Sequence, residues 1–177
     1  MKTIYFRRAV RKFAPTPVNK KLLDEIFEAG RQAPSAMNRQ PWKFYVVTNP
    51  QKIKAISAEI AEAAKDKLHL AEEIAQSTRE DFIFHGSPVV IFITAPLDSE
   101  WAPMDVGMCA QNMMLAAKSL GLDSCPVGFG RYVEKTKSYS DLKIPPSEKV
   151  QLALLIGFGA ENPITKPRVK DNVFYLD

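Results

Sequence analysis

The chain has 177 residues, of which 46% are hydrophobic and 25% are charged, a composition typical of a globular protein with a sizeable core. The net charge of +4 suits an anionic ligand without requiring nucleic acid, and the length favours one domain over residues 1–177. No apolar run is long enough to span a membrane, and the N-terminal residues lack the apolar core of a signal peptide, so we expect a cytoplasmic protein.

The first quarter of the chain predicts two helices. Residues 4–8 fit a short helix, and Pro15 and Pro17 then interrupt regular structure. A second helix is expected from Lys20 to about residue 32, with Asn19 as its N-cap and an apolar stripe on one face.

A polar loop between two prolines follows this helix. Pro34 and Pro41 each fix their own φ and push the preceding residue out of the helical region, so we expect a stiff, extended loop that ends on the apolar anchor Trp42. Such a loop suits a binding site, although an ordinary surface loop has the same composition. Its hydrogen-bonding side chains are Ser35, Asn38, Arg39 and Gln40.

The middle of the chain predicts two strands around a long helical region. Residues 43–48 fit a strand, and Asn49-Pro50 forms a cap and first-turn pair that begins a helix. The helical region runs to about residue 84, with one break near 65–70. Residues 89–95 are continuously apolar and β-branched, which indicates a strand buried on both faces.

The second half predicts a central helix, one more buried strand and a tail. Residues 104–120 are apolar around most of the helix, so it is either central or shared with a second subunit, and Gly121 ends it. We then expect a Gly-rich extended piece at 122–131, a short helix at 133–142 and a buried strand at 149–157. A short strand at 173–176 should dock either on its own chain or on a partner subunit. This order gives an α+β or α/β sandwich around one sheet.

No side-chain arrangement for acid–base, nucleophilic or metal catalysis is visible. No pattern of nucleophile or metal ligand lies near His69 or His85 in the sequence. Cys109 and Cys125 have neither CxxC spacing nor nearby histidines, and no phosphate-binding glycine motif is present. We therefore expect reduced, buried thiols, no zinc site, and, for an enzyme, chemistry carried by a cofactor.

Two basic clusters lie at opposite ends of the chain. Guanidinium groups suit phosphate recognition, so both clusters could converge on one phosphate, but both could equally be solvated surface charge. A nucleic-acid surface is disfavoured, because no binding motif is present. The clusters are Arg7, Arg8 and Arg11, and Lys166 and Arg168.

Four segments resemble the FMN-dependent nitroreductase family. Arg7-Arg8-Ala9-Val10-Arg11 is similar to the family's Arg-x-Ser-x-Arg/Lys motif, and residues 34–42 closely resemble its Pro-Ser-x-x-Asn-x-Gln-Pro-Trp loop. Cys125-Pro126-Val127-Gly128-Phe129 falls where the family has its flavin-edge segment, and Lys166-Pro167-Arg168 matches a basic pair in the tail. The matches occur in the family's order over nearly the whole chain.

The resemblance implies a three-layer α/β sandwich with a central, mainly antiparallel sheet, a long apolar dimer-core helix and a C-terminal tail exchanged between subunits. It also implies a homodimer with two FMN sites at the subunit interface and NAD(P)H as co-substrate. One subunit would hold the phosphate and ribityl chain and offer backbone N–H groups to flavin N5 and O4, and the other would supply the polar loop, supported by Gln40. The implied FMN-binding residues are Arg7, Arg8, Ala9, Arg11, Pro34, Ser35, Ala36, Met37, Asn38, Gln40, Pro126, Val127, Gly128, Phe129, Lys166 and Arg168.

The implied activity is hydride transfer from NAD(P)H through flavin N5 to nitroaromatics, quinones or similar small acceptors in a ping-pong cycle, with no catalytic side chain. Two departures affect the site: Ala9 replaces the family's Ser, and Val127-Gly128 stands where some members carry an acid. Three alternatives stay open. The first is related flavin chemistry, such as reductive dehalogenation, flavin breakdown or peptide-azoline oxidation. The second is a non-catalytic flavin-binding module, and the third is a basic domain without flavin.

Overall fold

The computed structural model describes residues 1–65 and 81–176. The α-helices in this part of the chain are α1 (Lys2–Phe6), α2 (Lys20–Arg31), α3 (Pro50–Ala64) and α4 (Ala102–Ser119). The strands are β1 (Lys43–Val47), β2 (Val89–Pro96), β3 (Asp123–Val127) and β4 (Glu148–Gly157). Short 3₁₀ segments occupy Ala36–Asn38, Gly128–Lys135 and Lys137–Leu142. None of the helices within these residues is long and apolar enough to cross a membrane.

The four strands form one sheet in the order β1-β2-β4-β3, and each neighbouring pair is antiparallel. The central strand β2 contains the continuous apolar run of the sequence, and β4 is apolar from Leu152 to its end, as expected for strands covered on both faces. The predicted central, mainly antiparallel sheet is therefore confirmed.

Alternation along β2 divides the core into two layers. Val89, Ile91 and Ile93 pack with α2 and α4 on one face of the sheet. Val90 and Phe92 point to the other face and pack with α3 and the segment that follows β3. Because successive strand residues point to opposite faces, one uniformly apolar strand serves both layers. The arrangement confirms the predicted three-layer sandwich.

Local signals set the helix ends where the sequence indicated. The Asn19 side chain accepts from Lys21 N at 2.8 Å, and the Asn49 side chain accepts from Lys52 N at 2.9 Å. Gly121 adopts φ +78°, and Leu122 N donates to Ala117 O at 2.9 Å across it, which closes the end of α4. These predicted boundaries are confirmed within one or two residues.

The predicted short helix at 133–142 and the extended piece at 122–131 are wrong in part. Only Asp123–Val127 is extended, and two 3₁₀ segments follow it. Gly130 lies so close to β4 that a Cβ built on it would sit 2.2 Å from Ala153 Cβ. The carboxylate of Glu59 accepts from both Ser138 N and Ser138 Oγ. These contacts with distant residues bend the segment away from one regular helix.

Two further expectations differ from the structure. Residues 82–86 form turns rather than helix, because the Asp81 carboxylate accepts from Phe84 N at 2.8 Å and Gly86 N at 3.1 Å. The predicted helix break near 65–70 lies largely in 66–80, outside the described residues. Residues 173–176 are not a strand in the single chain, where their exposure is 65–95%. A strand needs a neighbour for its backbone groups, and no neighbour lies beside this segment in the described chain.

Glu148 is a buried carboxylate at one end of the sheet. It accepts from Thr94 Oγ1 at 2.6 Å and from Tyr45 OH at 3.0 Å, and it pairs with Lys43 Nζ. Burial acts to raise the pKa of Glu148, but the hydrogen bonds from these three side chains outweigh it and hold the pKa below its ordinary value. This group joins β1, β2 and β4 through side chains as well as through the backbone.

Candidate functional site

The N-terminal basic segment lies along the outer edge of the sheet. Ala9 forms a parallel bridge with Ser124 of β3, and Val10 N donates to Ser124 O at 3.1 Å. Farther along, Phe13 bridges Gly159 just after β4. The main chain between Arg7 and Arg11 is therefore held against β3, the strand that leads into residues 126–129.

The charges of Arg7 and Arg11 reach the interior of this edge. Cys125 is 1% exposed, and burial raises the pKa of its thiol, whereas the charges of Arg11 and Arg7 act to lower it. The backbone contacts of Ala9 and Val10 with Ser124 hold the main chain between Arg7 and Arg11 beside β3. The structure thus brings together two of the segments that the sequence singled out separately.

The loop between Pro34 and Pro41 is a compact turn, which corrects the expectation of an extended segment. Its centre is a 3₁₀ turn, and Met37 (φ 51°), Asn38 (φ 53°) and Gln40 (φ 47°) adopt left-handed conformations. Asn tolerates this region, but a non-glycine residue there generally stores strain, and such strain tends to occur at functional sites. Trp42 is 7% exposed and anchors the end of the loop as predicted.

Hydrogen bonds within the loop hold this conformation. Ser35 Oγ accepts from Gln40 N at 2.9 Å, and Gln40 Nε2 donates to Asn38 Oδ1 at 3.1 Å. These side chains close the turn locally, a role that Ser and Asn commonly have. The polar residues that the sequence grouped in this loop therefore contact one another as well as facing outward.

One residue that sequence reasoning missed fixes the loop to the core. Asp105 lies in the first turn of α4, is 2% exposed, and accepts from Ala36 N at 3.1 Å. Its only signal in the sequence was that it is the single acid of a mostly apolar helix. Its position near the helix N-terminus also suits its negative charge.

The segment after β3 has an open backbone position. Val127 is buried, whereas Pro126 and Gly128 are exposed, and Phe129 is half-buried. A Cβ added at Gly128 would meet no atom within 4 Å. The main chain at Gly128 is therefore open to close approach by a planar ring on the side where a side chain would stand.

The basic residues of the tail are exposed, and the tail approaches the N-terminal segment just before them. Arg8 Nη2 donates to Thr165 Oγ1 at 2.5 Å, and Lys166 follows directly. A cleft of about 370 Å³ opens between the start of the tail and the end of α4. Its lining includes Phe6, Arg8, Lys118, Asp123, Glu161 and Thr165.

Within one chain, the predicted site residues fall into two separate groups. The basic segment and the start of the tail lie near Lys118, towards the C-terminal end of α4. The polar loop is attached at Asp105, towards the N-terminal end. The helix between these two residues spans about 20 Å at 1.5 Å per residue. A single chain therefore does not bring the loop and the basic cluster onto one phosphate.

Comparisons with known proteins identify the family of this chain. A 4-nitrobenzoate reductase from Pseudomonas putida is 32% identical to this chain over 88% of it and 83% of that protein. A nitroreductase with bound FMN from Bacteroides fragilis has a TM-score of 0.84 at 30% identity, covering 99% of this chain and 96% of that one. A variant of an FMN and NADPH-dependent nitroreductase from sphigopyxis sp. strain HMH has a TM-score of 0.80 at 25% identity, covering 98% and 97%. The model of the nitroreductase family matches residues 4–159, and the chain belongs to that family.

Proposed function

We propose that this chain is a cytoplasmic, FMN-dependent oxidoreductase, with one FMN-binding domain over residues 1–177. Its reaction is hydride transfer from NAD(P)H to nitroaromatic, quinone or similar small acceptors. NAD(P)H and the acceptor would occupy the same site one after the other. Bound FMN would supply the hydride-accepting and hydride-donating centre at N5. The observation that carries the proposal is the pairing of the main chain between Arg7 and Arg11 with β3, the strand that ends just before the open backbone at Gly128.

The phosphate of FMN requires several fixed cations. Arg7 and Arg11 are held beside β3, and the tail begins next to them with Lys166 and Arg168 shortly beyond. Guanidinium groups bind phosphate oxygens in bidentate geometry, and an ammonium adds a further charge. Ala9 has no hydroxyl to offer, so at this position only its backbone can contact the ligand.

The edge of the flavin ring is assigned to the backbone of Val127, Gly128 and Phe129. Backbone N–H groups that point at a position where negative charge develops stabilise that charge without reorganisation. The open space at Gly128 lets a ring come within hydrogen-bonding distance of the main chain. No side chain of the protein needs to act as acid or base in this reaction.

The polar loop is assigned to the site of the partner subunit. Within one chain the loop and the basic cluster lie towards opposite ends of α4, about 20 Å apart along the helix, so the loop does not lie beside the phosphate-binding residues of its own chain. A two-fold homodimer would place the loop of each subunit over the phosphate-binding residues of the other. Each dimer would then hold two equivalent sites.

Exposed apolar residues support this dimer. Ile4, Tyr5 and Phe6 of α1 are 54–66% exposed. The tail residues 173–176 are also apolar and exposed, and β1 is an edge strand of the sheet. An edge strand can accept an extended segment from another chain, so we place the tail of one subunit beside β1 of the other.

The first experiment is a visible absorption spectrum of the purified protein after incubation with FMN, followed by anaerobic addition of NADPH. We expect a yellow protein that bleaches on addition of the reductant. A protein that stays colourless after dialysis would refute flavin binding. A yellow protein that neither bleaches nor oxidises NADH or NADPH with an added acceptor would instead support a flavin-binding module.

The phosphate assignment has its own test. The double variant R11A/R168A should lose most of its FMN on gel filtration, because it lacks one cation from each basic cluster. K21A/K149A is the matched control, since it removes two charges from exposed lysines outside the candidate site. Full flavin occupancy in R11A/R168A would show that the phosphate lies elsewhere.

A further inference from the structure

The guanidinium of Arg8 is already bound to three oxygens of its own chain. Nη1 donates to Tyr5 O at 2.5 Å and to Arg7 O at 2.8 Å, and Nη2 donates to Thr165 Oγ1 at 2.5 Å. Arg8 is half-buried, and its acceptors are two carbonyls and a hydroxyl. Its planar fork therefore joins the C-terminal end of α1 to the start of the tail.

This contact ends a longer pairing between the two termini of the chain. Ala14 N donates to Phe158 O and Ala160 N donates to Lys12 O, both at 2.8 Å. The Glu161 carboxylate then accepts from Arg11 N, through the backbone rather than through the guanidinium. Residues 158–165 thus run antiparallel to residues 8–14, and beyond Thr165 the tail is exposed.

The position of Thr165 determines where the basic residues of the tail begin. Lys166 is the next residue, and Arg168 lies within ~11 Å of Thr165 along an extended chain of at most 3.6 Å per residue. Arg7 is tied to the same point, because its carbonyl accepts from Arg8. One side chain therefore holds the starting points of both basic clusters together.

We propose that Arg8 is a positioning residue that fixes Thr165, and through it directs Lys166 and Arg168 towards Arg7 and Arg11. Arg8 then acts through the tail instead of binding the phosphate itself. This inference rests on the proposed FMN site, and it assigns different roles to the adjacent residues Arg7 and Arg8.

Electrostatics explains why such a device is needed. Arg7, Arg11, Lys166 and Arg168 carry like charges that repel one another, and the Glu161 carboxylate, which accepts from Arg11 N, offsets only part of this repulsion. The pairing with residues 8–14 holds the tail near these charges, and its last bond uses a neutral hydroxyl. Lys cannot replace Arg8 here, because an ammonium does not offer the same fork to three oxygens in different directions.

The test compares FMN with riboflavin, which lacks the phosphate. T165V removes the hydroxyl with little change in shape and leaves all basic residues in place, and T165S keeps the hydroxyl. We expect T165V and R8Q each to weaken FMN binding by about tenfold, the effect of losing one hydrogen bond to a charged group. Riboflavin binding should change less than twofold in both, and T165S should bind FMN like the wild type.

The double variant R8Q/T165V completes the cycle. Because both changes break the same contact, we expect it to bind FMN no more weakly than the poorer single variant. Two outcomes would overturn the proposal. In one, T165V binds FMN like the wild type while R8Q does not, which indicates direct phosphate contact by Arg8. In the other, the two losses multiply in the double variant.

A second measurement needs no flavin, so it separates failure of this proposal from failure of the FMN assignment. Trypsin cuts poorly before Pro167, so Arg168 is the first good cleavage site in the tail. In the flavin-free protein, R8Q and T165V should be cut there several-fold faster than the wild type and T165S. Equal rates would refute the role of Arg8, whereas faster cleavage in a protein that binds no FMN would refute only the proposed function.

Discussion

Removing the carboxylate of Asp105 should weaken FMN binding without direct contact to the ligand. Asp105 is 2% exposed and accepts from Ala36 N at 3.1 Å, which fixes the loop that holds Ser35 and Asn38. D105A deletes this acceptor. D105N keeps an oxygen that can accept the same hydrogen bond but removes the negative charge.

The expected size follows from the contact and from the strain in the loop. A hydrogen bond to a charged group contributes about 2 kcal/mol, which corresponds to roughly 30-fold in an equilibrium constant. Met37, Asn38 and Gln40 are left-handed and store strain of about 1 kcal/mol each, so the loop relaxes readily once its anchor is lost. We therefore expect about a 30-fold loss of FMN affinity in D105A and a few-fold loss in D105N.

Flavin fluorescence titration measures these affinities, and thermal unfolding shows whether each variant is folded. D98A is the matched control, because Asp98 is an exposed acid shortly before α4. Its affinity should equal that of the wild type. If folded D105A binds FMN as tightly as D98A does, the loop is held by other contacts. If D105N is as weak as D105A, the charge rather than the hydrogen bond is what matters.

Three further outcomes follow from buried groups. Hydrogen bonds hold the pKa of Glu148 low, so the contribution of this carboxylate to stability is present above about pH 4.5 and is lost as the pH falls through the folded-state pKa. E148Q should be less stable than the wild type by about 2 kcal/mol at pH 7, and its melting temperature should depend less on pH in the acid range. G130A should lose about 2 kcal/mol or more in denaturant unfolding, because its Cβ would overlap β4, whereas G128A, with open space around its Cβ, should unfold like the wild type. Burial raises the pKa of the Cys109 thiol to about 12, and it also raises the pKa of the Cys125 thiol. Iodoacetamide at pH 8 should therefore label neither cysteine in the native protein and both in denaturant, and rapid labelling of the native protein would contradict this.

The strands and helix ends were predictable because their signals are local. The apolar run of β2 and the apolar second half of β4 favour buried strands. Asn19 and Asn49 bond to backbone groups two or three residues away, so their side-chain chemistry alone sets the helix starts. The contacts of these residues do not depend on how the rest of the chain folds.

The wrong expectations involve contacts between distant residues or turns closed by side chains. The segment after β3 bends because Gly130 packs on Ala153 and Ser138 bonds to Glu59, and neither pair is close in sequence. In the polar loop, two prolines suggested an extended chain, but Ser35 and Gln40 close a turn between them. Sequence pattern describes backbone preference, and here specific hydrogen bonds overrode it.

The basic clusters show the limit of sequence reasoning at the site. Composition left Arg7, Arg8 and Arg11 equally suited to phosphate or to solvent, and the family resemblance alone favoured phosphate. The structure separates adjacent residues: the charges of Arg11 and Arg7 act to lower the pKa of the Cys125 thiol, whereas Arg8 bonds to Thr165. Which neighbour each guanidinium meets depends on the pairing of the two chain ends, and spacing does not reveal it.

The separation of the two groups along α4 leads to one decisive experiment on the proposed dimer. R11A/R168A damages the phosphate-binding residues of a subunit, and S35A/D105A damages its loop. In a mixed dimer of these two chains, one shared site would carry both defects and the other would carry none. Differently tagged chains, co-expressed and purified through both tags, give this mixed dimer.

The mixed dimer should bind FMN at half the wild-type stoichiometry with wild-type affinity, although both parent homodimers bind weakly. This follows because an intact loop would face intact phosphate-binding residues across the interface at one of its two sites. If each site lay within a single chain, every site in the mixed dimer would keep one defect, and no tight binding would return. Titration with FMN therefore distinguishes the two arrangements by the number of tight sites, which depends on where the halves of the site lie and not on how strongly each variant is impaired.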